Sequence, residues 1–418
     1  MTKLLTNLSG QTKKRSGRGL AGKLSGLIGV LLLGSLTEIA FAQAPLLKDD
    51  FETEKLEWAG LGTSAKVERV TGAGKTKGGA GALQFRYRVE GKKSATTKPE
   101  TTEAAEIKKD KPQPTAPFDI LFRAVSVGQL AKMNALKFSV KTEIDTPLVV
   151  TMTEKDGGRY LTMLWIPKGE WQEVTVTPDE CWLADDKDDP KDPDGKLDPD
   201  KIENIALADL SCVFAPELSA QENGGIPVSS LHLGEHTILI DDFMVSGGSP
   251  LTPKRDELAI DPFNQDLLRW FALGDVQMRL DKASPLKTPA FRADYKQGDG
   301  GYVLFVKNTR GMKATSADSL VLDLASTKSC RLIFMLEEKN GSKYSFTLAV
   351  PGDSEPYHRV VEFSEFAAAE GVKDDNDRLD PLQVKTLTIT DVLGAYGIAK
   401  QKNTLWIGPI RLQPAPPK

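Results

Sequence analysis

The chain has 418 residues, enough for two domains that each enclose a core. Its 54 Lys and Arg residues against 58 Asp and Glu leave a net charge of −4, with no basic stripe interleaved with aromatics, which argues against a nucleic-acid partner. Three cysteines without a Cys-x-x-Cys pair exclude a disulfide framework and support no redox centre.

The basic residues gather at the start. Lys13-Lys-Arg15, Arg18 and Lys23 precede the apolar run Leu27 to Leu33, and Ala40-Phe-Ala42 supplies small residues before a cut at Gln43. Positive, then apolar, then small is the pattern of a secretory signal over residues 1–42, so the mature chain is expected to be exported, in the secreted or periplasmic envelope compartment. The run is short and glycine-broken for a membrane span. An uncleaved N-terminal anchor is the alternative.

Lys48 to Trp58 and Ile260 to Trp270 come next as a pair, because each sets a Phe seven residues before a Trp. Leu83 to Val89 alternates as a strand does, with Tyr302 to Val306 as a loose counterpart. Residues 91–117 are rich in Lys, Thr, Glu and Pro and read as a disordered, solvated insertion.

The stretch from Leu136 to Val176 then returns later in the chain. Leu136–Val140, Leu148–Glu154, Tyr160–Pro167 and Trp171–Val176 reappear in order as Leu320–Leu324, Leu332–Glu338, Tyr344–Pro351 and Tyr357–Val360. Glu154, Gly157, Tyr160 and Pro167 fall on Glu338, Gly341, Tyr344 and Pro351 at a constant offset of 184. Four features at one spacing identify two copies of one domain. The first is placed at 48–246, a Gly/Ser/Pro linker at 247–257, and a second, degenerate copy at 258–412.

Asp185 to Asp200 is an acidic surface loop. With Gly195 at position six of a calcium loop, Pro190 and Lys201 fall at positions one and twelve, where ligands are required. Leu197-Asp-Pro-Asp and Leu379-Asp-Pro-Leu are turn starts, with Asp capping and Pro at the first helical position. Short strands follow at Ile205–Leu207 and Leu387–Ile389, and Thr237–Val245 and Thr404–Leu412 close the copies. Short strands with regular turns and one helical turn make each copy an antiparallel β-sandwich, so the fold class is all-β. Cys181 and Cys212 lie in one copy, where they could pair, and Cys330 reads as a small buried residue.

The order Asp-Asp-Phe-Glu…Trp, Glu-Lys-Asp-Gly-Gly-Arg-Tyr, Pro-Lys-Gly-Glu-Trp, Leu-Asp-Pro-Asp and Ile-Leu-Ile-Asp-Asp-Phe resembles family 11 carbohydrate-binding modules. It is similar also to the complex I intermediate-associated protein 30 domains. Both are galactose-binding-like jelly rolls, and the resemblance covers most of residues 48–246 and, more weakly, 258–412. It implies a tandem jelly roll and an exported carbohydrate-binding role. It further implies one structural Ca2+ in the first copy, held by Glu52 and Asp241 with Asp242 as an alternative. Asn264 and Gly408 stand at those places in the second copy, where no such ion is expected. Ile205 to Leu210 departs from the family, offering no cleft tyrosine.

A sugar site needs an aromatic platform beside polar hydrogen-bonders. In the second copy, Tyr344, Phe346, Leu348 and Val350 alternate with Ser345, Thr347 and Ala349, an inside–outside split. In the same register Leu161, Met163 and Trp165 point outwards, so they and Trp182 are the candidate carbohydrate-binding residues. Trp58, Trp171, Trp270 and Trp406 read as core. The outward apolar face has three possible covers: the sister domain, a polysaccharide or the 91–117 loop. His232 and His236 lie on strand and turn rather than on a ligand-presenting helix. No nucleophile elbow or phosphate loop occurs, and the chain reads as non-catalytic. Two partners stay open: a polysaccharide or cell-wall glycan, or another envelope protein met through the sandwich faces.

Overall fold

The structure is a computed structural model. It describes residues 44–414 apart from 73, 92–117, 185–191, 219–231, 250–258, 275, 298–302, 310–316, 370–373, 375, 377 and 395–399. The expected signal, the bulk of the solvated insertion, most of the linker and part of the acidic loop lie outside the described residues.

Twelve strands make the first sandwich: β1 (Leu47–Asp49), β2 (Trp58–Leu61), β3 (Lys66–Val70), β4 (Ala82–Val89), β5 (Ile120–Ala124), β6 (Met133–Thr142), β7 (Thr146–Glu154), β8 (Arg159–Ile166), β9 (Gln172–Val176), β10 (Trp182–Leu183), β11 (Ile202–Asp209) and β12 (Gly234–Gly247). One sheet runs β3-β4-β12-β6-β9 with β1 beside β12, and the other runs β10-β8-β7-β11-β5-β2. The second sandwich follows as β13 (Ala259–Asp261), β14 (Trp270–Leu273), β15 (Val276–Asp281), β16 (Ala290–Gln297), β17 (Val303–Asn308), β18 (Ala317–Ser326), β19 (Cys330–Glu338), β20 (Lys343–Val350), β21 (Tyr357–Glu362), β22 (Ala367–Ala368), β23 (Val384–Asp391), β24 (Gln401–Ile407) and β25 (Ile410–Pro414). Its second sheet, β22-β20-β19-β23-β17-β14, repeats the first copy's order strand for strand. Long β12 is matched by two strands, β24 and β25, with Gly408 and Pro409 between them. Pro lacks the N–H that an unbroken ladder needs.

Every pairing is antiparallel, and the repeated segments coincide with β6–β9 and β18–β21. The alternation in β20 is as the sequence reads: Tyr344, Leu348 and Val350 are buried, while Thr347 and Ala349 face out. Burying side chains such as Phe85 and Phe334 completely is worth about 1.5–3 kcal/mol each.

The structure departs from the sequence reading at several points. The counterpart of β4 is β16 rather than Tyr302–Val306; β17 instead matches β5. An α-helix, α1 (Ser211–Leu218), follows β11 where only turns were expected. Cys181 and Cys212, which the sequence leaves open to pair, form no disulfide with each other. Trp171, expected in the core, is only half-buried.

Buried polar anchors recur in both copies. Asp49 accepts from the Trp58 indole N–H and from Arg123, each at 3.0 Å. Asp261 accepts from Trp270 at 2.9 Å and Lys307 at 2.6 Å. Two residues after each of these carboxylates, Phe51 and Phe263 turn the chain at positive φ, 57° and 49°. Across the core, the Tyr87 hydroxyl donates to Asp209 at 2.8 Å and that of Tyr295 to Asp391 at 2.7 Å, joining the two sheets of each sandwich. Burial pushes the Asp209 carboxyl up and both phenols well above their ordinary value.

Both sandwiches belong to one compact unit, Gln43–Lys418, and each places a side chain in the other's core. Trp165 of β8 packs with the second core, its ring edge-on to Phe271 at 6.4 Å, and Leu268 packs with the first. The backbone N–H of Trp165 donates to the Leu268 carbonyl at 2.9 Å. Beside them Arg269 meets buried Glu180 at 2.8 Å and the Thr175 carbonyl at 2.6 Å.

Two substitutions test this junction. Trp165→Ala should destabilise the chain by about 3–5 kcal/mol, and Arg269→Ala, which strands Glu180 without its cation, by a similar amount. Denaturant unfolding measures both. A change within about 0.5 kcal/mol for Trp165→Ala, as for a surface residue, would remove the junction.

Candidate functional site

The outward face of the β10-β8-β7-β11-β5-β2 sheet is built by strand alternation. Tyr160, Leu164 and Ile166 of β8 enter the core, which turns Leu161, Met163 and Trp165 outwards. Cross-strand register then lines up one row: Trp182 beside Leu161, Leu161 beside Thr151, Thr151 beside Ala206, Ala206 beside Phe122 and Phe122 beside Ala59. Trp182, Leu161, Thr151 and Phe122 are half-buried and Ala206 is buried. Four strand spacings separate Trp182 from Phe122, about 19 Å. Between these aromatics, Thr151 and Ala206 are small, so the row is low in the middle and raised towards its aromatics.

A polar row lies on one side, with Thr153 opposite Arg159 and Asn204 opposite Thr153. On the other side Met163 is opposite Val149, and Val149 is opposite Ala208. The face therefore offers two aromatic platforms, hydrogen-bonding side chains along one flank and an apolar floor along the other.

Of the sequence candidates, Leu161, Met163 and Trp182 lie on this face. Trp165 points to the same side, but the second sandwich covers it: it is 7% exposed and packed on Phe271, so it belongs to the junction and not to an open surface. Phe122 was not singled out. Its strand follows directly on the insertion and is apolar on both faces, so alternation marks no outward residue there; its pairing with Ala206 places it.

In the second copy the equivalent row reads Ala367, Ser345, Met335, Thr388, Val306 and Phe271. Ala367 replaces Trp182 and Val306 replaces Phe122. The one aromatic left in that row, Phe271, is the residue that meets Trp165.

Asp241 and Asp242 lie on β12 in the other sheet of the first sandwich, and Glu52 lies in the turn after β1 beside it. Asp241 is buried at the β12 bulge and accepts the N–H groups of Lys77 at 2.9 Å and Asp242 at 2.8 Å. Glu52 accepts the Ala80 N–H. One loop, Lys77–Ala80, thus caps both carboxylates. Burial raises the Asp241 carboxyl, and the charges of Asp242 and Glu52 act in the same direction. Backbone N–H groups satisfy both carboxylates, and among the described residues these side chains are not drawn together as a metal-ligand set.

Chains of known structure share features with this one. No family model and no curated protein matches the sequence. A family 11 carbohydrate-binding module from Clostridium thermocellum, solved with a beta-1,3-1,4-mixed-linked tetrasaccharide, is 16% identical, covering 38% of this chain and 95% of its own at a TM-score of 0.31. The N-terminal tandem domain CBM22-1-CBM22-2 from Paenibacillus barcinonensis is 10% identical, covering 89% of this chain and 98% of its own at a TM-score of 0.26. An exo-beta-agarase is 15% identical over 38% of this chain and 26% of its own, with a TM-score of 0.30.

If Trp182 and Phe122 are surface platforms, truncating either to Ala should cost no more than about 1 kcal/mol, far below a core aromatic. Denaturant melts of the two variants beside Trp165→Ala measure this; a loss of about 3 kcal/mol or more would make them core residues instead.

Proposed function

We propose that the chain is an exported, non-catalytic polysaccharide-binding protein, with the first sandwich as the binder and the second as its scaffold. The observation that carries this reading is the single row that sets Trp182 and Phe122 on either side of Thr151 and Ala206. Pyranose rings present apolar C–H faces with hydroxyls around the rim. Aromatic side chains take the faces, and the flank with Thr153 and Asn204 takes hydroxyls. The order of motifs shared with family 11 modules supports the same reading. A structural Ca2+ on Glu52 and Asp241, with Asp242 beside them, would tie the opening strand, the Lys77–Ala80 loop and the closing strand together.

The apolar flank of Leu161, Met163 and Val149 favours a second reading, in which the face meets another envelope protein. Affinity electrophoresis through gels containing soluble glucans, mannans or peptidoglycan fragments separates the two. Retardation by one glycan, lost in Trp182→Ala and in Phe122→Ala, is expected. Unchanged mobility in every glycan would sink the first reading, and recovery of a stable envelope complex abolished by the same substitutions would establish the second.

A further inference from the structure

Each sandwich buries one glutamate at the end of its second repeated strand. Glu154 closes β7, Glu338 closes β19, and both are completely inaccessible. Their surroundings agree. Oε1 of Glu154 accepts the Asp198 N–H at 2.5 Å, and Oε1 of Glu338 accepts the Asp380 N–H at the same distance. Oε2 is buried without a hydrogen-bond partner in both copies. A buried carboxylate oxygen left bare costs several kcal/mol, and the same atom is bare twice in one chain.

Further carboxylates lie around each of these glutamates. In the first copy Asp156 and Asp192 both bear electrostatically on Glu154, and the Tyr160 hydroxyl donates to Asp192. In the second copy Asp374 and Asp380 bear on Glu338, the Asn340 side chain acts as a hydrogen-bonding neighbour that lowers it, and the Tyr344 hydroxyl donates to Asp374. A Cβ on Gly158 would lie 3.0 Å from Glu154 Oε2 and 3.5 Å from the Asp192 Cβ, so this backbone passes directly against the bare oxygen. Ser342 holds that position in the second copy, and its hydroxyl is likewise buried and without a partner. The available cation does not serve both sites: Lys201 pairs with Asp156 at 3.0 Å and Asp198 at 2.7 Å on the outer side of the first, where the second copy has Gln383.

We propose that each copy binds a hard divalent cation of the calcium class at this turn, on Glu154 Oε2 in the first and on Glu338 Oε2 in the second. Among the described residues no three His, Cys, Asp or Glu side chains are already drawn together as a ligand set. The coordination therefore rests on one buried carboxylate oxygen completed by Asp192 in the first copy, by Asp374 and the Ser342 hydroxyl in the second, and by turn carbonyls. All are hard oxygens, and their irregular arrangement suits calcium, which accepts varied geometry, better than magnesium, which demands an octahedron. The sites are distinct from Glu52 and Asp241, which lie at the opposite sheet and in one copy only. Bound there, the ion would fasten the β7–β8 and β19–β20 turns to the Asp-Pro turns that open β11 and β23. A proton is the competing occupant, since burial pushes the Glu154 carboxyl up to about 7, with Asp156 and Asp192 pushing the same way.

Terbium and calcium titrations of the chelator-stripped, full-length chain test the proposal. Tyr160 and Tyr344 each donate to a carboxylate of a site, so phenol-sensitised terbium emission should report both. Glu154→Gln and Glu338→Gln should each lower the number of ions bound by one, whatever Asp241 contributes, and the double variant should lose the tyrosine-sensitised signal. Should either glutamine variant fold poorly, Asp192→Asn and Ser342→Ala are milder substitutions expected to weaken their own sites roughly tenfold. Stoichiometry and emission unchanged in the glutamine variants would overturn the proposal, as would a wild-type chain that binds no ion sensitised by tyrosine; a proton or a water would then serve the bare oxygens.

Discussion

The exchange of Trp165 for Leu268 governs the rest of the molecule. Each sandwich completes its core with a side chain from the other, and a backbone hydrogen bond between the same two residues fixes their register. Two large apolar groups removed from water outweigh the cost of holding two domains together. The Arg269–Glu180 pair adds direction rather than much net stability, because a buried ion pair repays mainly its own desolvation. Once this exchange is made, one end of the outward face is closed, and the row from Trp182 to Ala59 lies on the part left open.

Duplication supplies an internal comparison. Where the copies agree, the shared residues are buried polar anchors: the Asp that clasps a Trp indole, the Tyr–Asp pair across the core, the Glu that ends β7 or β19. Each is a position where a slip of one residue would strand a buried donor or acceptor. Where the copies differ, the outward face has changed. Ser345, Thr347 and Ala349 stand in place of Leu161, Met163 and Trp165, and the aromatic Trp182 and Phe122 become Ala367 and Val306. The second copy keeps the framework and gives its remaining face aromatic, Phe271, to the junction.

Much of this was legible in the sequence. The constant offset between Glu154 and Glu338 located eight strands, and the clean alternation of β20 fixed the register by which Leu161 and Met163 face outwards in β8. What the sequence could not supply was the identity of the cover over Trp165, because an outward apolar residue reads the same under a ligand and under a sister domain. Phe122 escaped for a related reason: with Ile120 and Leu121 it forms an unbroken apolar run, whose faces only pairing can separate. Helix α1 was missed because Pro216 stands within it and its short pattern carries little periodicity. The match of β4 with β16 was obscured by Arg292 and Asp294, charged residues on the outward side of a strand whose inward Phe291, Ala293 and Tyr295 are the true counterparts of Leu83, Phe85 and Tyr87.

The row from Trp182 to Ala59 runs across the strands, and β10 and β2, which carry its two ends, are both edge strands of the sheet. It crosses the full width of the sheet instead of ending within it. Under the proposed function, a polymer laid along such a row would enter at one border and leave at the other, so its termini would take no part in recognition. Occupancy would then scale with the length of chain on offer rather than with the number of chain ends, and the protein could sit anywhere along a strand and shift by whole repeat units without lifting off.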